Sequence, residues 1–294
     1  MPAVTSTVPG PPIAPELPHE HTEHGVVRTD PYHWMRDHES PDLLAYLANE
    51  RRWYESATGH LSPLIDAMRS EMKSRVPTTD RSVSWRHQTR YYYTLLPAGR
   101  EYTQLLRDFD LPGKTGAGQL LLDANLLADD SGYLELGLTA VSPDERLLAY
   151  SVDRTGDEVY ELRFRDLDTG EDRADVVPRS YYGGAWSADS AYFFYTVHDE
   201  AYRPFQVWRH AIGTSYDEDA MVLDEPDERF ELSVRATRSG GMVVIWSESR
   251  DTHEVWVVDT HRPLDPPRSV GSSSTIASSS YEVPMACRQT WKGR

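Results

Sequence analysis

The chain has 294 residues, with 30 Lys or Arg against 47 Asp or Glu, so its formal net charge is −17 with histidine neutral. This charge disfavours a polyanion, and we expect no nucleic-acid partner. Hydrophobic residues make up 39% of the chain, and its 8 tryptophans and 17 tyrosines are far too many for a disordered acidic chain. The composition is that of a globular protein with one large domain or two modest ones.

The apolar stretches are short. The longest, 119–122 and 242–246, fall far below the roughly 18 residues that span a bilayer. Residues 1–18 have neither a basic start nor an apolar core, so we expect no signal peptide and no membrane contact. The single cysteine, Cys287, allows no intrachain disulfide and no thiolate metal cluster. These features predict a cytoplasmic protein.

Residues 1–77 predict an extended arm and two helices. Six prolines within 1–18 exclude helix and central strand there. The helix-start signals Ser40-Pro41-Asp42 and Ser62-Pro63 each combine a capping oxygen with a proline in the first turn. Apolar residues follow each signal at helical spacing, and Pro77 ends the second helix.

From residue 78 onward the chain has the pattern of β-strands. Three segments, 140–152, 185–197 and 236–246, resemble one another, and each is followed by another strand. Taking Val159, Val207 and Val255 as equivalent positions gives a recurrence of about 48 residues, as in four-stranded propeller blades. With a further candidate over 88–123, we predict a mainly β fold: a partial propeller of three to four blades over 78–268, open at one face or more.

The familiar catalytic motifs are missing. No Gly-x-Ser-x-Gly nucleophile elbow occurs, because 213–217 ends in Asp217 and 271–275 lies in a serine-rich stretch. No phosphate-binding loop occurs either, and 113–116 is typical of a hairpin turn.

Histidines and carboxylates also form clusters in the sequence. The spacing of His19, His21 and His24, with His33 and His38 nearby, fits no closed tetrahedral metal site, and a polar loop is the simpler interpretation. The carboxylate runs 129–130, 217–219 and 225–228 are typical of solvated loops. We therefore predict no metal and no cofactor.

The segment 30–37 places two large aromatic residues among charges. It predicts an anchoring turn in which Tyr32 and Trp34 bury apolar area and Arg36 pairs with a carboxylate.

Three segments carry a specific resemblance: 24–37, 43–50 and 206–214, supported by 121–125 and 141–144. In these residues the chain resembles the prolyl oligopeptidase family of serine peptidases, and within it the oligopeptidase B branch. The likeness covers about 10–265.

The resemblance implies a two-domain enzyme: an α/β-hydrolase domain that holds Ser, Asp and His, and a seven-bladed β-propeller that admits short peptides and excludes folded proteins. Oligopeptidase B cleaves after Arg or Lys and needs no metal or organic cofactor. Because the resemblance ends within the propeller, no catalytic residue is carried over, and no substrate-binding residue is assigned.

Residues 269–294 depart from the blade pattern, with serine-rich stretches and then a basic end at Arg288, Lys292 and Arg294. We expect a frameshift or premature stop to be the origin of this tail.

The leading hypothesis is therefore the N-terminal and propeller portion of an oligopeptidase B-like enzyme, inactive alone. Its partners would be the missing hydrolase domain, on which 1–77 would pack, and short basic peptides. The alternative is a free-standing propeller-type binding module for basic peptides. A third hypothesis is that another polypeptide supplies the hydrolase half.

Overall fold

The computed structural model describes residues 10–111, 118–128 and 132–273. The chain divides into two compact units, Met1–Pro77 and Thr78–Arg294. The hairpin turn expected at 113–116 and Cys287 lie outside the described residues.

The first unit begins with a segment without regular structure over 10–18 and a hairpin of two strands, β1 (His19–Glu23) and β2 (Val26–Asp30). His24 and Gly25 connect them, with φ of 52° and 78°. Two consecutive residues at positive φ are typical of the tight turn whose twist suits a hairpin. The polar loop expected around the histidines is thus a β-hairpin.

Two helices follow, α1 (Pro41–Thr58) and α2 (Ser62–Arg75). The α1 start is confirmed, with the Leu44 N–H donating to the Ser40 carbonyl at 3.0 Å, but the expected cap by the Ser40 side-chain oxygen was wrong, because that side chain makes no capping hydrogen bond. The second helix also starts where expected, but Leu61 occupies its cap position and Ser62 lies inside the first turn. No helix in the described part of the chain is long and apolar enough to cross a membrane.

The apolar stripes of these helices are exposed. Leu43 is the only residue of α1 that is buried, and α2 has none. Along α2 the exposed apolar side chains are Leu64, Ile65, Met68 and Met72. Ile65, Met68 and Met72 border a shallow groove together with Val76 and the basic residues Arg69 and Lys73.

The described residues of the second unit form four antiparallel blades, in which strand order follows chain order. Blade 1 contains β3 (Asp80–Arg81), β4 (Trp85–His87), β5 (Arg90–Leu96), β6 (Gln104–Asp108) and β7 (Gln119–Asp123), followed by the short helix α3 (Ala124–Leu127). Blade 2 contains β8 (Glu135–Val141), β9 (Leu147–Asp153), β10 (Tyr160–Asp166) and β11 (Asp172–Ser180). Blade 3 contains β12 (Gly184–Trp186), β13 (Tyr192–His198), β14 (Pro204–Ala211) and β15 (Ala220–Asp224). Blade 4 contains β16 (Glu231–Ala236), β17 (Met242–Glu248), β18 (His253–Asp259) and β19 (Arg268–Ser273).

This architecture confirms the predicted fold class, a mainly β partial propeller preceded by an arm and two helices. The expected limit of the blades at 268 falls inside β19, which pairs with β18 as far as Ser273. Serine is no obstacle to this strand, because the ladder is made by backbone groups and an outer strand needs few apolar side chains.

One turn repeats in three blades and explains the sequence repeat. The side-chain oxygens of Ser142, Ser187 and Thr237 accept hydrogen bonds from the N–H groups five residues later, at 2.9, 2.9 and 3.1 Å. Each bond closes the turn between the first and second strands of a blade. The three segments aligned in the sequence are therefore structurally equivalent.

The hydrophobic core is divided among the seams between blades. One cluster joins blades 1 and 2 around Tyr92, Leu122 and Tyr150. A second joins blades 2 and 3 around Phe164 and Phe193, and a third joins blades 3 and 4. The first and second clusters share β9, whose successive side chains point to opposite faces. Blades 2 and 3, which have a neighbour on each side, thus each contribute to two hydrophobic clusters.

Candidate functional site

The first strands of blades 2, 3 and 4 begin at the same end of the blade stack. β8 begins at Glu135, β12 at Gly184 and β16 at Glu231. β12 runs parallel to β16, with Gly184 opposite Arg235. Side chains from these strand starts and from the neighbouring connections form a cluster that we call the rim: Glu135, Glu158, Tyr160, Tyr181, Tyr182 and Glu231.

Three tyrosines form the centre of the rim. The Tyr160 hydroxyl donates to the Tyr182 hydroxyl at 2.7 Å, and the ring centroids are 5.0 Å apart. Tyr181 and Tyr182 are in edge-to-face contact at 4.7 Å. Tyr182 remains 39% exposed, so part of its ring is free to contact a ligand.

Two glycines after these tyrosines make the arrangement possible. Gly183 has φ of +87°, and a Cβ there would lie 2.7 Å from the Val234 carbonyl oxygen. A Cβ on Gly184 would lie 2.4 Å from the Phe193 ring. Only glycine lets this backbone approach blade 4 and β13 so closely. The sequence analysis missed this site, although its signal is readable in the run Tyr181-Tyr182-Gly183-Gly184.

Carboxylates lie beside the tyrosines. The Tyr181 hydroxyl donates to the Glu158 carboxylate at 3.4 Å. Burial raises the pKa of the Tyr181 phenol, and Glu158 and Glu231 raise it further. Burial and the bond to Tyr182 likewise raise the pKa of Tyr160. The phenols therefore stay neutral, and the rim combines negative charge with aromatic rings, a combination that attracts cations.

A buried histidine adjoins the rim. His198 is 3% exposed, contacts Tyr181 edge to face and stacks on Tyr202 at 5.0 Å. Its Nδ1 lies 2.8 Å from the Asp199 carbonyl oxygen. Because a carbonyl only accepts, Nδ1 carries the hydrogen. Among the described residues, Nε2 has no hydrogen-bond partner.

An arginine fixes the loop after His198. Arg203 pairs with Asp199 at 2.9 Å and donates to the carbonyls of Glu225, Asp227 and Phe230 at 3.0–3.2 Å. One side chain thus holds both the β13–β14 loop and the connection to blade 4.

A second ionisable cluster is buried between blades 2 and 3. His210 Nδ1 lies 2.7 Å from Asp219, and its Nε2 lies 3.6 Å from Asp175. The Tyr195 hydroxyl donates to Asp219 at 2.8 Å, and His210 stacks on Phe164 at 5.1 Å. Since the His210 side chain is fully buried, this cluster joins the blades and offers no surface to a ligand. The solvated loop expected at 217–219 was wrong for Asp219, whose side chain is 1% exposed.

The other candidate residues have local structural contacts. His19 stacks on His33 at 3.7 Å, and no group of three or more metal-ligating side chains occurs within the described ranges. The absence of a metal remains a prediction. Glu225 accepts from the Ser247 hydroxyl at 2.6 Å, and Asp227 pairs with Arg229. Residues 129–130 lie outside the described ranges.

The segment 30–37 does anchor the arm. The Trp34 Nε1–H donates to the Pro15 carbonyl at 3.0 Å, and the Tyr32 hydroxyl donates to Glu16 at 3.3 Å. Tyr32 is nevertheless 41% exposed, so it buries less apolar area than expected. The expected pairing of Arg36 was also wrong, because Arg36 forms no ion pair with any carboxylate in the described part of the chain.

A family model for the prolyl oligopeptidase N-terminal β-propeller domain matches residues 11–283. The chain belongs to the prolyl oligopeptidase family. Among curated relatives of this family, it is 33% identical over 260 residues to Protease 2 of Moraxella lacunata, covering 87% of this chain and 38% of that protein. It is 34% identical over 262 residues to Dipeptidyl aminopeptidase BI of Pseudoxanthomonas mexicana, covering 83% and 36%.

Solved structures agree with this assignment. Oligopeptidase B from Trypanosoma brucei, with covalently bound antipain in a closed form, superposes with a TM-score of 0.79 at 30% identity, covering 90% of this chain and 40% of that one. Oligopeptidase B from Leishmania major gives 0.78 at 26% identity, covering 88% and 40%. The chain therefore spans about two fifths of the length of these relatives, and its matched region is the propeller.

Proposed function

We propose that this chain is the propeller-bearing part of a serine oligopeptidase of the oligopeptidase B type, which cleaves short peptides after Arg or Lys. The observation that carries the proposal is the acidic, tyrosine-lined rim, which lies where the first strands of blades 2, 3 and 4 begin. It offers carboxylates and aromatic rings to the cationic side chains of such peptides. The relatives named Protease 2 and Oligopeptidase B support the same assignment.

The propeller's part in this function is to admit and orient peptides, while a hydrolase portion supplies Ser, Asp and His. The net charge of −17 favours approach of basic peptides, and the attraction weakens as salt screens it. The chain acts in the cytoplasm, in keeping with its single cysteine.

The helix pair supports a hydrolase partner. Large exposed apolar patches on globular proteins mark interaction sites. On α2, Met68 is 54% exposed and Met72 is 66% exposed. We assign this stripe to contact with the hydrolase portion, and it disfavours the alternative of an independent binding module.

The first test is hydrolysis of a fluorogenic Arg-Arg amide by the purified chain, beside a serine-reactive phosphonate probe. The expected result is no turnover and no labelled serine. Turnover with a labelled serine in this chain would overturn the assignment of catalysis to a separate hydrolase portion.

The second test measures binding of an Arg-containing peptide to the double variant Glu158→Gln, Glu231→Gln. Loss of two carboxylates is expected to weaken binding by about tenfold, or roughly 1.4 kcal/mol. Glu228→Gln together with Glu218→Gln is the control, because it removes the same charge from exposed residues outside the rim. Equal weakening by both double variants would show general electrostatic attraction and reject the rim as the binding surface.

A further inference from the structure

A cavity of about 220 Å³ lies at the seam of blades 1 and 2. Its walls include the aliphatic residues Leu105, Leu122 and Leu136 and the hydroxyl-bearing residues Thr94, Thr103 and Thr139. Leu105 and Leu122 are 5% and 1% exposed and belong to the core of this seam. The cavity thus has a buried aliphatic base, while Thr103 is exposed.

A bulge in β8 forms one wall. The pairing of β8 with β9 shifts register between Leu136 and Leu138, around Gly137. Leu136 and Val141 pack into the core toward blade 1, whereas Leu138 and Ala140 pack into the core toward blade 3. Side chains alternate along a strand, so Thr139 shares the face of Val141. Without the bulge, Leu136 and Thr139 would point to opposite faces; the extra residue places both on the cavity.

A second irregularity lies beside Thr94, which lines the cavity. The first strand of blade 1 is interrupted between β3 and β4, both of which pair with β5. At the end of β3, the Ser82 N–H donates to the Thr94 carbonyl at 3.0 Å, whereas the Thr94 N–H donates to the Ser82 hydroxyl at 2.9 Å and not to its carbonyl. The bulge in β8 thus lies in the wall of the cavity, and the interruption of the first strand of blade 1 reaches it through Thr94.

The chemistry of the walls defines what fits. All lining residues are Thr, Leu or Gly, so no formal charge lines the cavity. A charged group would lose hydration there without gaining a counter-ion. The volume exceeds the roughly 150 Å³ of an apolar cavity that admits benzene. The three hydroxyls supply hydrogen-bond donors and acceptors near the aliphatic base.

We propose that this cavity is a binding site for a small, uncharged, branched aliphatic group that carries one hydrogen-bonding function. The group is either a free small molecule or an aliphatic side chain presented by a peptide. The site is separate from the acidic rim, and the proposal does not depend on the assignment of peptidase function.

The test is a titration of the full chain with two isosteric probes, followed by the methyl NMR signals of its leucines. The probes are 3-methylbutan-1-ol and 3-methylbutylammonium. We expect saturable shifts confined to the leucines that line the cavity, Leu105, Leu122, Leu136 and Leu138, with the alcohol, and at least tenfold weaker binding of the ammonium. Absence of saturation with the alcohol, or equal binding of both probes, would overturn the proposal without any variant.

Thr139→Leu fills the cavity and is expected to weaken binding of the alcohol at least tenfold. Val244→Leu enlarges a half-buried residue of blade 4 and serves as the matched control. Unchanged binding to Thr139→Leu would reject this cavity as the site. A further titration with N-acetyl-leucinamide distinguishes the two sources, since its binding indicates a peptide side chain and binding of the alcohol alone indicates a free small molecule.

Discussion

Two strands of equal length show how differently the blades are packed. All seven residues of β9, in blade 2, are buried, whereas in β17, in blade 4, only Val243, Ile245 and Ser247 are. Blade 2 has cores on both faces, while the described residues give blade 4 a core only toward blade 3. Blade 2 is thus stabilised by packing on both faces and blade 4 by packing on one, as expected of a repeat architecture in which each blade depends on its neighbours.

Equivalent positions sharpen this contrast. Tyr150 and Tyr195 are the fourth residues of the second strands of blades 2 and 3, and Ile245 takes this position in blade 4. Tyr92 lies in the second strand of blade 1 and packs toward blade 2. The Tyr92 hydroxyl donates to Glu145 of the next blade at 3.1 Å. Those of Tyr150 and Tyr195 donate to Asp172 and Asp219, each at 2.8 Å. Among the described residues, blades 1 to 3 thus each have a buried tyrosine that donates to a carboxylate, whereas blade 4 has Ile245 at the corresponding position.

The largest expected effect is therefore a loss of stability at alkaline pH. Burial, with adjacent carboxylates, raises the pKa of Tyr92 and Tyr150 to about 12, and the pKa of Tyr195 is raised in the same direction. In the unfolded chain the pKa of a tyrosine is about 10. Above that pH the unfolded state loses protons that the folded state retains, so this stabilisation is complete below about pH 10 and lost as pH approaches about 12.

Urea unfolding at a series of pH values between 9 and 11.5, with tyrosinate absorbance recorded in parallel, measures this loss. Tyr150→Phe should reduce the slope of stability against pH. Titration of all tyrosines together near pH 10 in the folded protein would contradict the expectation.

Truncation at the seam is the next largest effect. Phe164→Ala should destabilise the chain by about 3–5 kcal/mol, since Phe164 is fully buried against Trp186, Phe193 and His210. Val244→Ala on the open face of blade 4 should cost about 1 kcal/mol or less. Urea denaturation compares the two variants, and equal costs would show that the faces are equally packed.

A smaller loss is expected for the arginine that connects the loops of blades 3 and 4. Arg203→Ala should cost about 2 kcal/mol, because it removes a side-chain donor shared by three backbone carbonyls, of which, within the described residues, only that of Asp227 keeps a bond from a backbone N–H, that of Phe230. Arg229→Ala is the control, since Arg229 is exposed and pairs only with Asp227 in its own connection. Thermal unfolding compares the stability of the two variants. An unchanged stability of Arg203→Ala would show that water satisfies the carbonyls in place of the guanidinium.

The smallest effect concerns the repeated turn. Ser187→Ala should cost about 1 kcal/mol by removing the acceptor of the Tyr192 N–H. Ser239→Ala, in the corresponding turn of blade 4, should be nearly neutral, because Ser239 is exposed and accepts no backbone bond of this kind. Chemical denaturation of both variants is the check, and equal losses would contradict the importance of the turn bond.

Much of the fold was predictable because its signals are local. The helix starts at Pro41 and Ser62 follow from proline and polar residues placed in sequence. The blades follow from alternating strands and from turns that reuse Ser142 and Ser187. The hairpin at His24-Gly25 was missed because its strands are polar on both faces and show no alternation.

The site was harder to predict, because its members are far apart in sequence. Glu158 and Glu231 lie in different blades and approach Tyr181 only when blades 2, 3 and 4 stack, while Glu135 lies beside Tyr160. Asp219 illustrates the same limit: its neighbours in sequence are exposed acids, and only packing against His210 buries it.

The sequence by itself determined the family, the repeating blades and the starts of both helices, because periodicity, turn residues and motif spacing act over a few residues. The tertiary structure decided which carboxylates are buried, where the rim forms and where a cavity remains between blades. Those features depend on contacts between side chains that are far apart in sequence and approach one another only when neighbouring blades stack. Local sequence patterns contain no information on such contacts.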